Sequence, residues 1–245
     1  MFTAKLEAKT WKEIINALST VIDEVSIEVT QEGIQFTTMD PSHICMVDFS
    51  MKSEHFEEYS VTGENVTLGI DVDEMRKAIN RSKPGDTLEI IADQASITLK
   101  FTQKDSESLR RLKLQQIDVA FTEKYKVPHI DTLGEVKLPA YVFEDALKDI
   151  HLFADVITFV SEPNIFIIQG EGDSGSAFSE IREWIAYEVK EPCKCTYNLS
   201  YLFDISKISI DEVTIKLGND VPIHISFTLR NAKFLYILAP RVEKE

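Results

Sequence analysis

DTLEIIADQASITLKFT, residues Asp86 to Thr102, recurs as DEVTIKLGNDVPIHISFT, residues Asp211 to Thr228, with one residue inserted. Each copy is two alternating apolar and polar runs, and each ends in Ile-x-x-x-Phe-Thr. Alternation sends successive side chains to opposite faces of a strand, so each copy reads as two half-buried strands around a turn. The separation is close to half the chain, which makes half the chain the structural unit. The match extends upstream: Val25 to Phe36 (VSIEVTQEGIQF) lies over Val156 to Ile167 (VITFVSEPNIFI). Gln-Glu-Gly in one copy and Glu-Pro-Asn in the other suit the bend of a hairpin.

A helical pattern precedes each hairpin. Trp11, Ile14, Ile15, Leu18, Val21 and Ile22 recur at spacings of three and four, as do Phe143, Ala146, Leu147 and Ile150, so each helix buries one face. A second helix is predicted in each half. Asp71 opens one around Val72, Met75 and Ile79 that runs to Pro84-Gly85, and Asn198 opens the other around Leu199, Leu202 and Phe203. Two helices per half cannot cover both faces of a parallel sheet. The fold class expected is therefore α+β, two similar domains of antiparallel sheet with helices on one side. The domains expected are 1–117 and 133–245. Between them Asp118 to Thr132 lacks either period and holds the helix-hostile pair Val127-Pro128, so 118–132 reads as a connector.

Composition narrows the function. The 245 residues carry 26 Lys plus Arg against 41 Asp plus Glu, a formal charge of -15, which argues against an openly basic nucleic-acid binder. With 44% hydrophobic and 27% charged residues the chain is an ordinary globular one. Its 3 cysteines, Cys45, Cys193 and Cys195, fit reduced thiols and a cytoplasmic setting better than a disulfide framework. No membrane-length apolar stretch and no apolar leader is visible. Gly170-Glu-Gly-Asp-Ser-Gly175 matches a dinucleotide-binding spacing without the βαβ context and reads as a hairpin turn. Cys193 and Cys195 share a strand face, but no further ligands complete a zinc set. Asp40, Ser42 and His43 lack an oxyanion hole or second catalytic group, and His55, His129 and His151 read as surface residues, so neither an enzyme nor a cofactor is expected.

Four short motifs carry a family resemblance: Met1 to Leu6 (MFTAKL), Thr38 to Val47 (TMDPSHICMV), Leu114 to Val119 (LQQIDV) and Leu238 to Val242 (LAPRV). In order and over essentially the whole chain, they resemble proliferating cell nuclear antigen, the sliding clamp of DNA replication, in its archaeal form. The resemblance implies a ring of three subunits, helices lining a central hole, sheets outside, and duplex DNA through the hole. It implies a processivity factor rather than an enzyme. Its partners would be DNA polymerase, the clamp loader, ligase and nucleases, docked by a short clamp-interacting peptide. One subunit of a heterotrimeric clamp, or an acidic protein-binding scaffold, is the alternative.

A clamp must meet phosphates without reading bases. The most basic run, Arg76 to Lys83, holds Arg76, Lys77, Arg81 and Lys83 and no acid; Lys77 and Arg81, four apart, are expected on one helix face. Lys9 and Lys12 lie opposite Trp11, Ile14 and Leu18. In the second half Lys148 and Lys207 match basic positions of the family, but Asp145 and Ser200 stand where relatives often carry a basic residue, so the attraction is expected to be uneven.

For the peptide site the resemblance points to Met39, His43, Ile44, Met46, Val127, Pro128, Pro222, Ile237, Leu238, Ala239 and Pro240. Methionines suit a pocket that accepts many partners. The alternative for Met39, Ile44 and Met46 is a core strand. The connector, with Phe121 and Tyr125, is longer and more basic than the family's short acidic loop. Phe178, Ile181, Ile185 and Val189 alone suggest a helix, whereas the resemblance implies an edge strand there for subunit contact. That edge would meet the strand around Glu107 to Leu114, where Arg110, Arg111 and Lys113 face acids such as Glu180 and Glu183 beside Phe178.

Overall fold

A computed structural model of the chain describes residues 1–63, 66–103, 108–118 and 125–241. Glu107, Val119, Phe121 and Val242, named above, lie outside the described residues. The chain divides into two units, one of residues 1–41, 48–126 and 229–233, the other of 42–47, 127–228 and 234–245.

The first unit contains β1 (Phe2–Glu7), α1 (Ala8–Leu18), β2 (Glu24–Val29), β3 (Gly33–Met39), most of β4 (Cys45–Lys52), β5 (Glu58–Val61), β6 (Val66–Asp71), α2 (Val72–Ile79), β7 (Asp86–Ala92), β8 (Ser96–Gln103) and β9 (Leu109–Gln115). The second contains β10 (Gly134–Pro139), α3 (Ala140–His151), β11 (Val156–Glu162), β12 (Ile165–Gly172), β13 (Gly175–Ile181), β14 (Ala186–Val189), β15 (Cys193–Asn198), α4 (Leu199–Ser206), β16 (Glu212–Leu217), β17 (Ile223–Leu229) and most of β18 (Ala232–Leu238). Hydrogen bonding joins the strands in the orders β5-β1-β7-β8-β9 and β4-β3-β2-β6 in the first unit. In the second it follows β14-β10-β16-β17-β18 and β13-β12-β11-β15, the same two orders strand for strand.

The repeat is thus a repeat of topology. Asp86 to Thr102 is the β7–β8 hairpin, paired antiparallel from Asp86↔Gln103 to Ala92↔Ile97. Its second copy is β16–β17, antiparallel through Ile215↔Ile225. The upstream copies are the β2–β3 and β11–β12 hairpins, the latter closed by Pro163 and by Asn164 at φ +67°. Asparagine tolerates that left-handed backbone better than most residues.

Each helix lies on the sheets by one stripe. Ala8, Trp11, Ile14, Ile15, Ala17 and Leu18 of α1 are buried, and Ala140, Phe143, Ala146, Leu147 and Ile150 of α3 repeat the pattern. Residues of both sheets and both helices, among them Phe2, Trp11, Ile27, Leu68, Met75 and Ile90, meet in the first unit's core. α1 contacts α2, and α3 contacts α4. α1 is shorter than its apolar period implied: it stops at Leu18, and Val21 and Ile22 belong to the turn that follows.

Asp71 and Asn198 cap the second helices as expected, accepting from the amides of Glu74 (2.8 Å) and Ser200 (2.9 Å). An N-cap carboxylate satisfies an amide that the helix leaves unpaired. Asp71→Ala is therefore expected to destabilise the protein by about 1 kcal/mol, read as a lower urea midpoint.

Candidate functional surfaces

On the outward side of α1, Lys9 is exposed and Lys12 is half-buried. Lys9 Nζ lies 3.9 Å from Glu13, whose carboxylate also receives Arg230 Nε at 2.6 Å. That hydrogen bond holds the Glu13 carboxyl below its ordinary range. On α2, Arg76 Nη2 is 2.5 Å from Asp73, and Lys77 Nζ is 2.8 Å from both Asp73 and Glu74. Those two acceptors, Asp73 first, push the Lys77 ammonium above its ordinary value. Exposed pairs of this kind add little stability. Their larger effect is on the field, because each cation arrives with a carboxylate alongside.

The shared helix face expected for Lys77 and Arg81 is corrected by the structure: α2 ends at Ile79 with Asn80 as C-cap. Arg81 and Ser82 continue as tight turns, their amides bonded to the carbonyls of Ala78 (3.1 Å) and Ile79 (2.9 Å). Pro84 disfavours helical backbone at Lys83, and Asn80 and Ser82 hold a helix weakly. Among the described residues no carboxylate lies within ion-pair distance of the Lys12, Arg81 or Lys83 side chains.

The second unit's helices are more acidic. Tyr141, Asp145, Lys148 and Asp149 are exposed on α3. Lys148 Nζ is 2.8 Å from Glu144 and 3.4 Å from Asp145, which raise its pKa, Glu144 most. Lys207, the C-cap of α4, is 2.9 Å from Asp204 and sits over the Phe203 ring at 4.1 Å. His151 stacks on that same ring at 4.1 Å.

Within the second unit the C-terminal segment meets the residues before β4: the Ala239 amide donates to the Ile44 carbonyl at 3.0 Å. Ile44 is 37% exposed and Val127 41%, so the core-strand alternative for Ile44 is corrected: it precedes β4. His43, at φ +56°, Pro128 and Ala239 are exposed, and Met46, Pro222 and Pro240 are half-buried. Met39, half-buried at the end of β3, belongs to the first unit. Ile237 and Leu238 are corrected in the other direction. At 5% and 1% exposure they are core residues of β18, whose last side chains are buried on both faces. Of the C-terminal segment, Ala239 and Pro240 remain accessible.

Residues 175–181 form strand rather than helix. β12 and β13 close through Asp173-Ser174 with Gly172 opposite Gly175. This hairpin explains the glycine spacing: a Cβ at Gly172 would strike the Phe153 carbonyl, and one at Gly175 would lie 2.8 Å from the Phe153 ring. β13 and β9 are both edge strands. β9 exposes Leu109, Arg111 and Lys113 on alternate positions, and β13 exposes Phe178 and Glu180. Glu180 pairs with Arg182 at 2.7 Å, and Glu183 is exposed beyond the strand. Arg110 does not join Arg111 and Lys113: it faces the other way, onto Asp86 of its own unit. Leu152 and Phe153, 72% and 37% exposed after α3, escaped the sequence reading. The available signal was Leu152, an apolar residue off the buried stripe ending at Ile150.

Cys45, Cys193 and Cys195 are buried thiols, and burial pushes the Cys193 thiol up to about 11, so it stays protonated and inert at neutral pH.

Residues 1–123 match the family model "Proliferating cell nuclear antigen, N-terminal domain" and residues 126–242 match "Proliferating cell nuclear antigen, C-terminal domain". The DNA polymerase sliding clamp of Methanococcus vannielii is 35% identical over 99% of this chain and all of its own length. That of Pyrococcus horikoshii is 32% identical over 97% of this chain and 96% of its own. Among solved structures, PCNA from Thermococcus kodakaraensis superposes with a TM-score of 0.91 over 98% of this chain and all of that one, at 24% identity. At that identity the superposition speaks for the fold.

Proposed function

The chain belongs to the proliferating cell nuclear antigen family and is a DNA polymerase sliding clamp, not an enzyme, and from that premise we propose how its surfaces divide the task. Three copies close a ring around duplex DNA in the cytoplasm, at replication sites. β9 of each copy joins β13 of the next, with Leu109, Arg111 and Lys113 on one side and Phe178, Glu180, Glu183 and Leu152 on the other. The observation that carries this reading is the pair of open edges, each with an exposed apolar residue flanked by charge of opposite sign. Two unlike, complementary edges per subunit generate a closed ring when the rotation allows.

The helix pairs face the DNA. Lys12, Arg81 and Lys83, free of carboxylates among the described residues, make the main phosphate contacts; Lys9, Arg76, Lys77, Lys148 and Lys207 contribute less because their charge is shared with an acid of their own subunit. Clamp-interacting peptides of polymerase, clamp loader, ligase and nucleases dock on Ile44, Ala239 and Pro240, with His43, Met46, Val127, Pro128 and Pro222 of the same unit around them. The clamp domains proposed are 1–117 and 133–245, joined by the connector 118–132.

The test is retention on nicked circular DNA, which should be lost when the DNA is linearised. Lys12→Glu with Arg81→Glu should shorten that retention at least about ten-fold at moderate salt and flatten its salt dependence, by about 0.9 in log–log slope per lost phosphate contact. Lys148→Glu with Lys207→Glu should change it far less. Equal losses from both pairs would refute this division of labour.

A further inference from the structure

The described cations of the second unit sort into two kinds. Lys137, Lys148, Arg182, Lys207 and Lys216 each lie within ion-pair distance of a carboxylate, and Lys190 Nζ donates to the Thr132 carbonyl at 3.4 Å. Lys194 and Arg241 are exposed, and among the described residues neither side chain has a carboxylate or other polar partner. Both stand beside the proposed peptide seat. Arg241 directly follows Ala239 and Pro240, and its amide donates to the Thr196 carbonyl of β15 at 2.8 Å. Lys194 comes two residues before Thr196 on that strand and so shares its face; the other face holds the buried Cys193, Cys195 and Tyr197. The Lys194 amide donates at 2.9 Å to Asn219 Oδ1, in the loop that leads to Pro222, and the Tyr197 hydroxyl donates at 2.8 Å to the Val221 carbonyl of the same loop. Backbone and buried bonds thus tie Arg241, β15 and the Pro222 loop together, with the two cationic side chains left outside.

We infer that Lys194 and Arg241 form a cationic rim on the peptide seat, through which the protein favours peptides carrying acidic residues beside their apolar anchors. This rests on the reading that Ala239 and Pro240 seat a peptide. On a chain of net charge -15 an acidic flank is repelled by most of the surface, so two unpaired cations at one rim mark the place where it settles. The last five residues, Arg241 to Glu245, balance two cations against two acids, which makes Lys194 the surplus charge. Rim charges act on encounter and specificity more than on total affinity. The apolar anchors therefore supply most of the binding, and the rim chooses among peptides that share them.

The experiment titrates three labelled peptides against the wild-type protein and against Lys194→Glu combined with Arg241→Glu. The peptides share one aromatic and one aliphatic anchor and carry neutral flanks, two acids before the anchors, or two acids after them. At low salt one acidic flank should tighten binding to the wild type about ten-fold over the neutral peptide, the size expected of two exposed charge pairs, and the gain should fall below about two-fold at high salt. The double variant should reverse that preference by a similar factor while binding the neutral peptide within about two-fold of wild type. Both side chains are exposed, so the fold should survive, and circular dichroism checks it. If the variant does not fold, the wild-type salt series decides alone. Equal binding of all three peptides by the wild type overturns the rim and leaves the docking surface standing. An acidic-flank gain that persists in the double variant also overturns it, because the selecting cations would then lie elsewhere. Binding of none of the three overturns docking surface and rim together.

Discussion

Phe178→Asp is expected to convert the assembled protein to monomer at micromolar concentration and to abolish retention on circular DNA. Phe178 is 59% exposed in the isolated chain and lies on an edge strand, so its replacement removes almost no packing within the subunit. In the proposed ring the same position is buried against β9 of the neighbour, where an unpaired carboxylate costs on the order of 3 kcal/mol or more. That is a weakening of about a hundred-fold or more at each of three identical contacts. A ring has no tolerance for one open seam, because DNA escapes through it. Sedimentation with circular dichroism as the control reads the outcome. A folded Phe178→Asp that remains trimeric would move the seam elsewhere.

Ile44→Asp combined with Ala239→Asp should weaken capture of a peptide bearing an aromatic and an aliphatic anchor by about a hundred-fold or more, with mass and DNA retention unchanged. Apolar anchors need an apolar seat, and two carboxylates there would have to be desolvated by the docking peptide. The two residues act as one surface because the Ala239 amide is bonded to the Ile44 carbonyl. Both side chains are exposed, so the core is not disturbed. Fluorescence titration of a labelled peptide measures the loss, and undiminished binding would clear this segment of the docking role.

These two surfaces differ in how readable they were. Ile44 and Ala239 stand in short motifs, and the family resemblance carried them. Ile237 and Leu238 came with the same motif, yet β18 buries both, because a strand covered on two faces hides every residue at its end. Leu152 belongs to no motif; its exposure appears only once α3 ends at His151 and leaves it off the buried stripe.

Arg110 teaches the same lesson for charge. From its neighbours Arg111 and Lys113 it looked like one of three equivalent cations, but alternation along β9 turns it toward Asp86, a carboxylate remote in sequence. The basic run Arg76 to Lys83 likewise counted as four equal charges. Arg76 and Lys77 are occupied by Asp73 and Glu74 one turn earlier, and the early end of α2 separates Arg81 from them.

By itself the sequence determined the duplicated unit, the hairpins, both helix caps and the α+β class. All of these follow from local patterns: period two, period three to four, and a capping side chain beside the amide it serves. Only the tertiary structure decided which cations are free, which apolar residues are open, and which strand edges lack a neighbour. Those properties depend on distances between residues far apart in the chain, and no local period encodes them.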